Sequence, residues 1–363
     1  MTSQSSSPME PMASGHPRPT APEAKRSLLG LTLEELQTVA QELELPRFAA
    51  SQMARWLYRH GAQTVEAMSD LSLRARAELA TRYDVGRTPP VQQLQATDGT
   101  SKYLFPVGEG HTVESAVIPD GERRTLCLSC QSGCRMGCQF CATGKGAWGG
   151  SLSAGEMINQ LLGVDEHAAI SNIVFMGMGE PMDNLKAVLT CLTILTAPWG
   201  LAMSPRRITV STIGIIPQLR QLLSQSECHV AVSLHSPFQP ERQELVPATR
   251  QYPLADLLHT LRGHRWDGQR RLSFEYVVLA GVNDTTRHVD ALARLLQGLP
   301  CLVNLIGYHP HPLSSFRRPP EVTLQRIRQG LIQRGIHTTI RTSKGLEIAA
   351  ACGLLSRTAG HTA

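Results

Sequence analysis

Apolar positions change their period along the chain. From Leu28 they recur every three or four residues, the spacing of one helix face, and Thr32-Leu33-Glu34-Glu35 reads as a capping box opening a helix through Leu36, Val39 and Leu43. The same spacing predicts a second helix carrying Met53, Trp56 and Leu57, and a third carrying Leu71, Ala75 and Leu79 that ends near Tyr83. After Pro89-Pro90 the period falls toward two. Residues 91–94, 101–105 and 112–118 are predicted strands, with Asp98-Gly99 as a hairpin turn. From Thr125 onward, short apolar runs at 125–129, 172–176, 207–211, 229–234, 272–279, 302–308 and 337–341 alternate with amphipathic stretches. Ser153-Ala154-Gly155-Glu156 is a second capping box at the head of one of these.

Strand-helix repetition of this kind implies an α/β class with a parallel sheet. The strand count suits a full or partial β/α barrel with a small N-terminal helical accessory domain; a doubly wound sheet is the alternative. The expected division is a Ser- and Pro-rich disordered tail over 1–25, a helical accessory domain over 26–88, a β connecting segment over 89–120, the barrel over 121–345 and a C-terminal tail over 346–363. Barrel sites lie at the C-terminal ends of strands.

Composition adds little to this. The chain has 363 residues, 42% of them hydrophobic and 18% charged, as in ordinary globular proteins. A formal charge of +5, with arginine far outnumbering lysine, suits a phosphate-bearing partner. Arg47, Arg55, Arg59 and His60 fall on the accessory helices as either a solvated surface or an RNA contact. The N-terminus lacks a signal-peptide core and no apolar run reaches spanning length, so no membrane association is expected and the cytoplasm is the expected location. Five of the nine cysteines crowd between Cys127 and Cys141, which points to ligation or catalysis in a reducing compartment rather than a disulfide scaffold.

Within that crowd, Cys134, Cys138 and Cys141 are spaced C-x3-C-x2-C in a glycine-containing loop. Iron-sulfur clusters commonly take four thiolates, so three would leave one iron open to a small molecule. A zinc site with Cys130 or a distant His as fourth ligand is the competing reading. The run Phe175-Met176-Gly177-Met178-Gly179-Glu180-Pro181 ends a predicted strand, where Gly179 permits close backbone approach and Glu180 can accept from an ammonium group. Ser211, then Ser233, Leu234 and His235, end later strands on the same face. Each taken alone also reads as a helix cap or a core residue.

The spacing with its aromatic-Cys step, Phe140-Cys141, resembles the signature of the radical S-adenosylmethionine (SAM) superfamily. More specifically, DGTSKYLF, VESAVIP, TLCLSCQSGCRMGCQFCATG, FMGMGEP, ITVSTIG, VSLHSP, EYVVLAGVND and AACG resemble, in order, the motifs of the RlmN/Cfr family of radical SAM RNA methyltransferases. That resemblance implies a [4Fe-4S] cluster on Cys134, Cys138 and Cys141, and SAM held by Gly179, Glu180, Ser211, Ser233, Leu234, His235 and a late strand-end residue that aligns with His309. It implies that Cys352 takes a methyl group from one SAM and that a deoxyadenosyl radical from a second SAM removes hydrogen from it. The carbon radical adds to an adenine carbon, Glu114 accepts a proton, and Cys127 releases the product through a transient disulfide with Cys352.

Three positions depart from the family pattern: His309 stands where Asn is common, Gly146 to Gly150 replace an Asn- and Arg-containing segment, and Cys130 replaces Ser. The expected activity is methylation of adenine carbon 2 in ribosomal, and also transfer, RNA, by a monomer served by a flavodoxin- or ferredoxin-type electron donor. Carbon 8 methylation of 23S rRNA, a noncatalytic metal-bearing RNA-binding protein and a radical enzyme on a small molecule are the alternatives. Trp56, Tyr58 and Trp148 are candidate base-stacking platforms.

Overall fold

The computed structural model describes residues 25–108, 110–266 and 270–356; the expected N-terminal tail lies almost wholly outside them. Both capping boxes form. Thr32 and Glu35 exchange hydrogen bonds at the head of the helix Leu33–Glu42, and Ser153 and Glu156 do so at Ala154–Leu162. The other two N-terminal helices are Ala49–Tyr58 and Leu73–Arg82, the latter capped by Ser72. Their buried faces, including Leu36, Met53, Leu57 and Leu79, belong to the same continuous core as the rest of the molecule.

Ten strands form one sheet in chain order: β1 (Gln92–Gln95), β2 (Ser101–Val107), β3 (His111–Asp120), β4 (Arg123–Cys127), β5 (Asn172–Phe175), β6 (Ile208–Thr212), β7 (His229–Ser233), β8 (Leu272–Val278), β9 (Cys301–Gly307) and β10 (His337–Ile340). The first four are antiparallel neighbours and β4 to β10 are parallel. An order without reversal excludes the doubly wound alternative, which needs a switch point. Right-handed crossovers then put the connecting helices on one face and let the sheet roll into a barrel. Since β1 and β10 are not paired among the described residues, the barrel is partial. The three strands expected as a connecting segment are hydrogen-bonded into this sheet through β3 and β4.

The N-terminal helices dock on the barrel through a close backbone crossing. A Cβ on Gly30 would lie 2.3 Å from Gly155 N, and one on Gly155 2.3 Å from Leu29 O, so both positions require glycine. Tyr58 is buried at this seam, accepting from Gly30 N at 3.2 Å and donating to Leu31 O at 2.6 Å. Arg59 donates to Gly200 O and Pro198 O, while Arg55 and Trp56 both bind Asp70. Of the four residues considered for a basic face, two are therefore tied down within the chain. No helix among the described residues is long and apolar enough to cross a membrane.

Candidate active site

One cavity, enclosing about 1030 Å³ with its open mouth included, lies at the C-terminal ends of the parallel strands. It brings together Cys134, Cys138, Cys141, Gly179, Glu180, Ser211, Ser233, His235, His309 and Cys352, residues drawn from six loops and strand ends.

The three-cysteine loop is held from several sides. Gln139 N donates to Leu245 O at 2.9 Å, and Ala142 N to Gly353 O at 2.8 Å. Gly133, at φ +94, passes so close to the following loop that a Cβ would meet Ala147 O at 2.4 Å. Arg135 binds Asp183 at 2.7 Å, Asp183 accepts from Gln131 Nε2 at 2.9 Å, and Gln131 Oε1 accepts from Glu180 N at 2.9 Å. This chain of contacts fixes Glu180 relative to the thiols. The Glu180 carboxylate takes Met182 N at 3.1 Å and Ile213 N at 3.0 Å, and burial pushes its pKa up to about 7.

His235 adopts a left-handed backbone conformation, φ +60, uncommon for a residue other than glycine. Its Nδ1 accepts from Val277 N at 3.1 Å, which leaves the proton on Nε2, and its carbonyl accepts from Asn283 at 2.7 Å. Burial and then Arg242 lower its pKa to about 3, so the ring is neutral at physiological pH. His309 also lines the cavity, but both nitrogens are engaged, with Arg318 at 2.9 Å and Ser343 at 2.5 Å. Burial and Arg318 hold its pKa down at about 4. Leu234 differs from its neighbours: fully buried, it is not part of the lining, and its carbonyl accepts from Arg242 Nε at 3.2 Å.

Cys352 is solvent-accessible because it faces the open cavity, yet the protein packed around it raises its thiol pKa. The tail that carries it is pinned by the Ala142–Gly353 contact and by Thr143 Oγ1 donating to Leu355 O at 2.6 Å. Cys127, at the end of β4, is buried behind the cavity; burial, then the neighbouring Cys352, pushes its pKa up to about 12. Both are free thiols, so the expected transient disulfide is not the state seen here. Glu114 lies on β3 outside the cavity lining, with Lys102 Nζ at 3.0 Å from Oε1 and the backbone of Ser356 at 2.7 Å from Oε2. Burial raises its pKa and Lys102 partly offsets this.

Cys130 is buried outside the lining, its backbone held by Met178 and Leu152. No trio of His, Cys, Asp or Glu among the described residues converges tightly enough for a single metal ion. All three thiols line the cavity, and a cluster takes such ligands on separate irons.

Sequence reasoning missed Arg242 and Arg341. Arg242 is the largest fully buried side chain; it donates to Ile213 O at 2.5 Å, Ser233 O at 3.1 Å and Leu234 O, tying β6 to β7 beneath the site. Its Nη1 has no partner, and burial lowers its pKa to about 10, partly offset by the neighbouring Cys138. Arg341 faces Cys127 and Cys352 and donates to Met176 Sδ at 3.1 Å, which favours their thiolate forms. In sequence, a buried arginine looks like a solvated one.

The "Radical SAM superfamily" family model matches residues 128–296, and the "Ribosomal RNA large subunit methyltransferase N-terminal domain" model matches 26–85. A Porphyromonas gingivalis protein named "Probable dual-specificity RNA methyltransferase RlmN" is 49% identical over 93% of this chain and 96% of its own length. A Syntrophobacter fumaroxidans "Dual-specificity RNA methyltransferase RlmN" is 42% identical over 89% and 96%. Among solved structures, a radical SAM methyltransferase from Sphaerobacter thermophilus superposes with a TM-score of 0.87 at 40% identity, covering 92% of this chain and all of that one.

Proposed function

The chain belongs to the RlmN/Cfr family of radical SAM RNA methyltransferases, and on that premise we propose that it methylates carbon 2 of an adenine in ribosomal, and also transfer, RNA through a methyl group carried on Cys352. The observation that carries this reading is the position of Cys352, on the same cavity as the three clustered thiols and Glu180 and beside Cys127. Relatives named as dual-specificity RNA methyltransferases, together with the ribosomal RNA family model, support two RNA classes as substrates.

The donor set fits a [4Fe-4S] cluster: three free thiols lining one cavity, with Met136 and Phe140 as apolar shielding. Cys134, Cys138 and Cys141 would hold it, and Glu180 would bind the ammonium of SAM beside it. Gly179, where a Cβ would strike Gln131 at 2.6 Å, lets the Glu180 turn pack against that residue, and Ser211, Ser233 and the Nε2–H of His235 offer polar contacts. His309 is a contact only if its bond to Ser343 is exchanged for one to the cofactor. When bound, the cluster and SAM supply the reducing electron and the radical that activate an unreactive carbon.

The chain's own residues do the rest. Cys352 presents sulfur as the methyl carrier, Arg341 favours its anionic form, and Glu114 takes the proton that leaves the substrate carbon. Cys127, as thiolate, attacks the Cys352 sulfur, forming the disulfide as the carbon-sulfur bond breaks; the carbon keeps the electron pair and takes a proton to become the methyl group, and a thiol reductant returns the disulfide to two thiols. Electrons are drawn from a flavodoxin- or ferredoxin-type donor, and the enzyme acts as a cytoplasmic monomer. Mass spectrometry of adenosines after anaerobic turnover tests this reading: 2-methyladenosine supports it, 8-methyladenosine assigns the carbon 8 alternative, and neither product refutes both.

A further inference from the structure

Beneath the thiol cavity, and meeting it at Met176 and Glu275, a second hollow of about 1620 Å³, mouth included, opens among the N-terminal ends of the parallel strands. Its lining carries six cations (Arg123, Arg206, Arg207, Arg271, Arg341 and Lys344) against two carboxylates, Asp120 and Glu275. That surplus of four positive charges nearly equals the +5 of the whole chain. The basic character noted in the composition is therefore concentrated in one place.

Two of the six cations have internal partners. Arg341 donates to Met176 Sδ and Lys344 to Pro119 O. The other four are exposed, and among the described residues their side chains make no hydrogen bond or ion pair. Arg123 opens β4, Arg206 and Arg207 immediately precede β6, and Arg271 immediately precedes β8, so three different strands deliver guanidinium groups to one rim. Their field is felt locally: after burial, Arg271, Arg270 and Arg206 are what lower the pKa of His229 in the same hollow. Below the rim, Thr125, Thr209 and Asn172 add hydroxyl and amide groups. Like charges held together without counter-ions destabilise the fold, and guanidinium groups match phosphate in geometry as well as charge.

We propose that this rim grips the sugar-phosphate backbone of the RNA substrate, with Arg123, Arg206, Arg207 and Arg271 contacting successive phosphates at the end of the barrel away from the methylation site. The groups are spread around a wide mouth rather than converged on a point, which fits a polyanion that tracks along a surface better than one small anion. The inference rests on the chain's being an RNA methyltransferase, and adds a contact surface at the strand ends outside the thiol cavity.

The test is filter binding of the anaerobic holoenzyme to transcribed large-subunit ribosomal RNA over a series of KCl concentrations. The variant R206E/R271E is compared with a charge control, R294E/R328E, whose exposed arginines lie on the helices Thr286–Leu296 and Glu321–Gln333. R206E/R271E is expected to raise Kd at least about tenfold and to flatten the plot of log K against log salt by the equivalent of about two phosphate contacts, each ~0.7–0.9 in slope. Iron content should not change, and the control should bind like wild type. Wild-type binding by R206E/R271E overturns the proposal, as does equal weakening in the control. Displacement of RNA from wild type by millimolar inorganic phosphate, with an unchanged salt slope in the variant, reassigns the rim to a small anion. Slowed cluster reduction by ferredoxin with RNA binding intact reassigns it to an acidic protein. Should the charge reversal impair folding, R206Q/R271Q is expected to move Kd and slope in the same direction by a smaller amount. Failure of wild type to bind RNA at all would count against the methyltransferase reading itself, whereas binding that ignores the rim overturns only this inference.

Discussion

Ser356 presents its backbone amide to Glu114 Oε2 at 2.7 Å, so the tail that carries Cys352 is fastened to β3 through the carboxylate expected to act as base. Glu114 is outside the cavity lining with the tail in this position. Glu114→Gln is expected to leave iron content and methyl loading of Cys352 intact while lowering RNA product formation by about 10² or more, the typical contribution of a positioned base. Intact-protein mass and product yield from the same reactions separate the two effects. Unchanged turnover would remove Glu114 from the mechanism.

If Glu180 binds the ammonium of SAM as proposed, it is expected to link pH to cofactor binding. Its pKa of about 7 lies above the ordinary carboxylate value. Between those two values the folded protein keeps a proton that the unfolded chain has released, so this group's contribution to stability is full at low pH and fades as pH rises through about 7. Ammonium binding runs the other way because it selects the carboxylate. SAM affinity should climb, by up to about tenfold per pH unit below the pKa, and level off above it. Anaerobic equilibrium dialysis across pH 6 to 8 checks this, and Glu180→Gln should abolish the dependence; a flat wild-type profile contradicts it.

Cys127 is assigned to release rather than to methyl transfer. Cys127→Ala should therefore take up the methyl group on Cys352 and react once, then stall with RNA attached through Cys352. The expected sign is a band that survives denaturing electrophoresis and disappears on nuclease treatment. Free methylated RNA at the wild-type rate would show that Cys127 is not needed.

Arg242 closes three backbone carbonyls beneath the site. Arg242→Met removes a buried cation but takes its donor from the Ile213 and Ser233 carbonyls, while the Leu234 carbonyl keeps Ser236 N at 2.8 Å; each buried hydrogen bond lost in this way costs ~1–3 kcal/mol. A net destabilisation of about 3 kcal/mol is expected, together with weaker SAM binding as the ends of β6 and β7 loosen. Chemical denaturation monitored by circular dichroism measures the first, and a variant as stable as wild type would refute the tie.

Much of this was legible in residue order because it depends on local chemistry. The two capping boxes formed as spaced, and each parallel strand lies within two residues of its apolar run, because a continuous apolar run has to be covered on both faces. The thiol spacing and the Gly179-Glu180 turn pointed to one end of the barrel for the same reason. What was hidden is non-local. Nothing between Gln92 and Asp120 announces that three hairpin strands join the parallel sheet through β4. Burial of Arg242, the inward turn of Leu234 and the engagement of both His309 nitrogens depend on what the fold brings against them.

If Cys352 carries the methyl group to RNA, an isotope in that group should pass through it. The holoenzyme is incubated anaerobically with SAM labelled in its methyl group, first without RNA and then with it, and the protein and RNA are analysed by mass spectrometry. Label is expected on Cys352 before RNA is added and then on an adenine carbon, with Cys352→Ala losing both signals while retaining its iron. Labelled adenine formed at full yield by Cys352→Ala would contradict the carrier role.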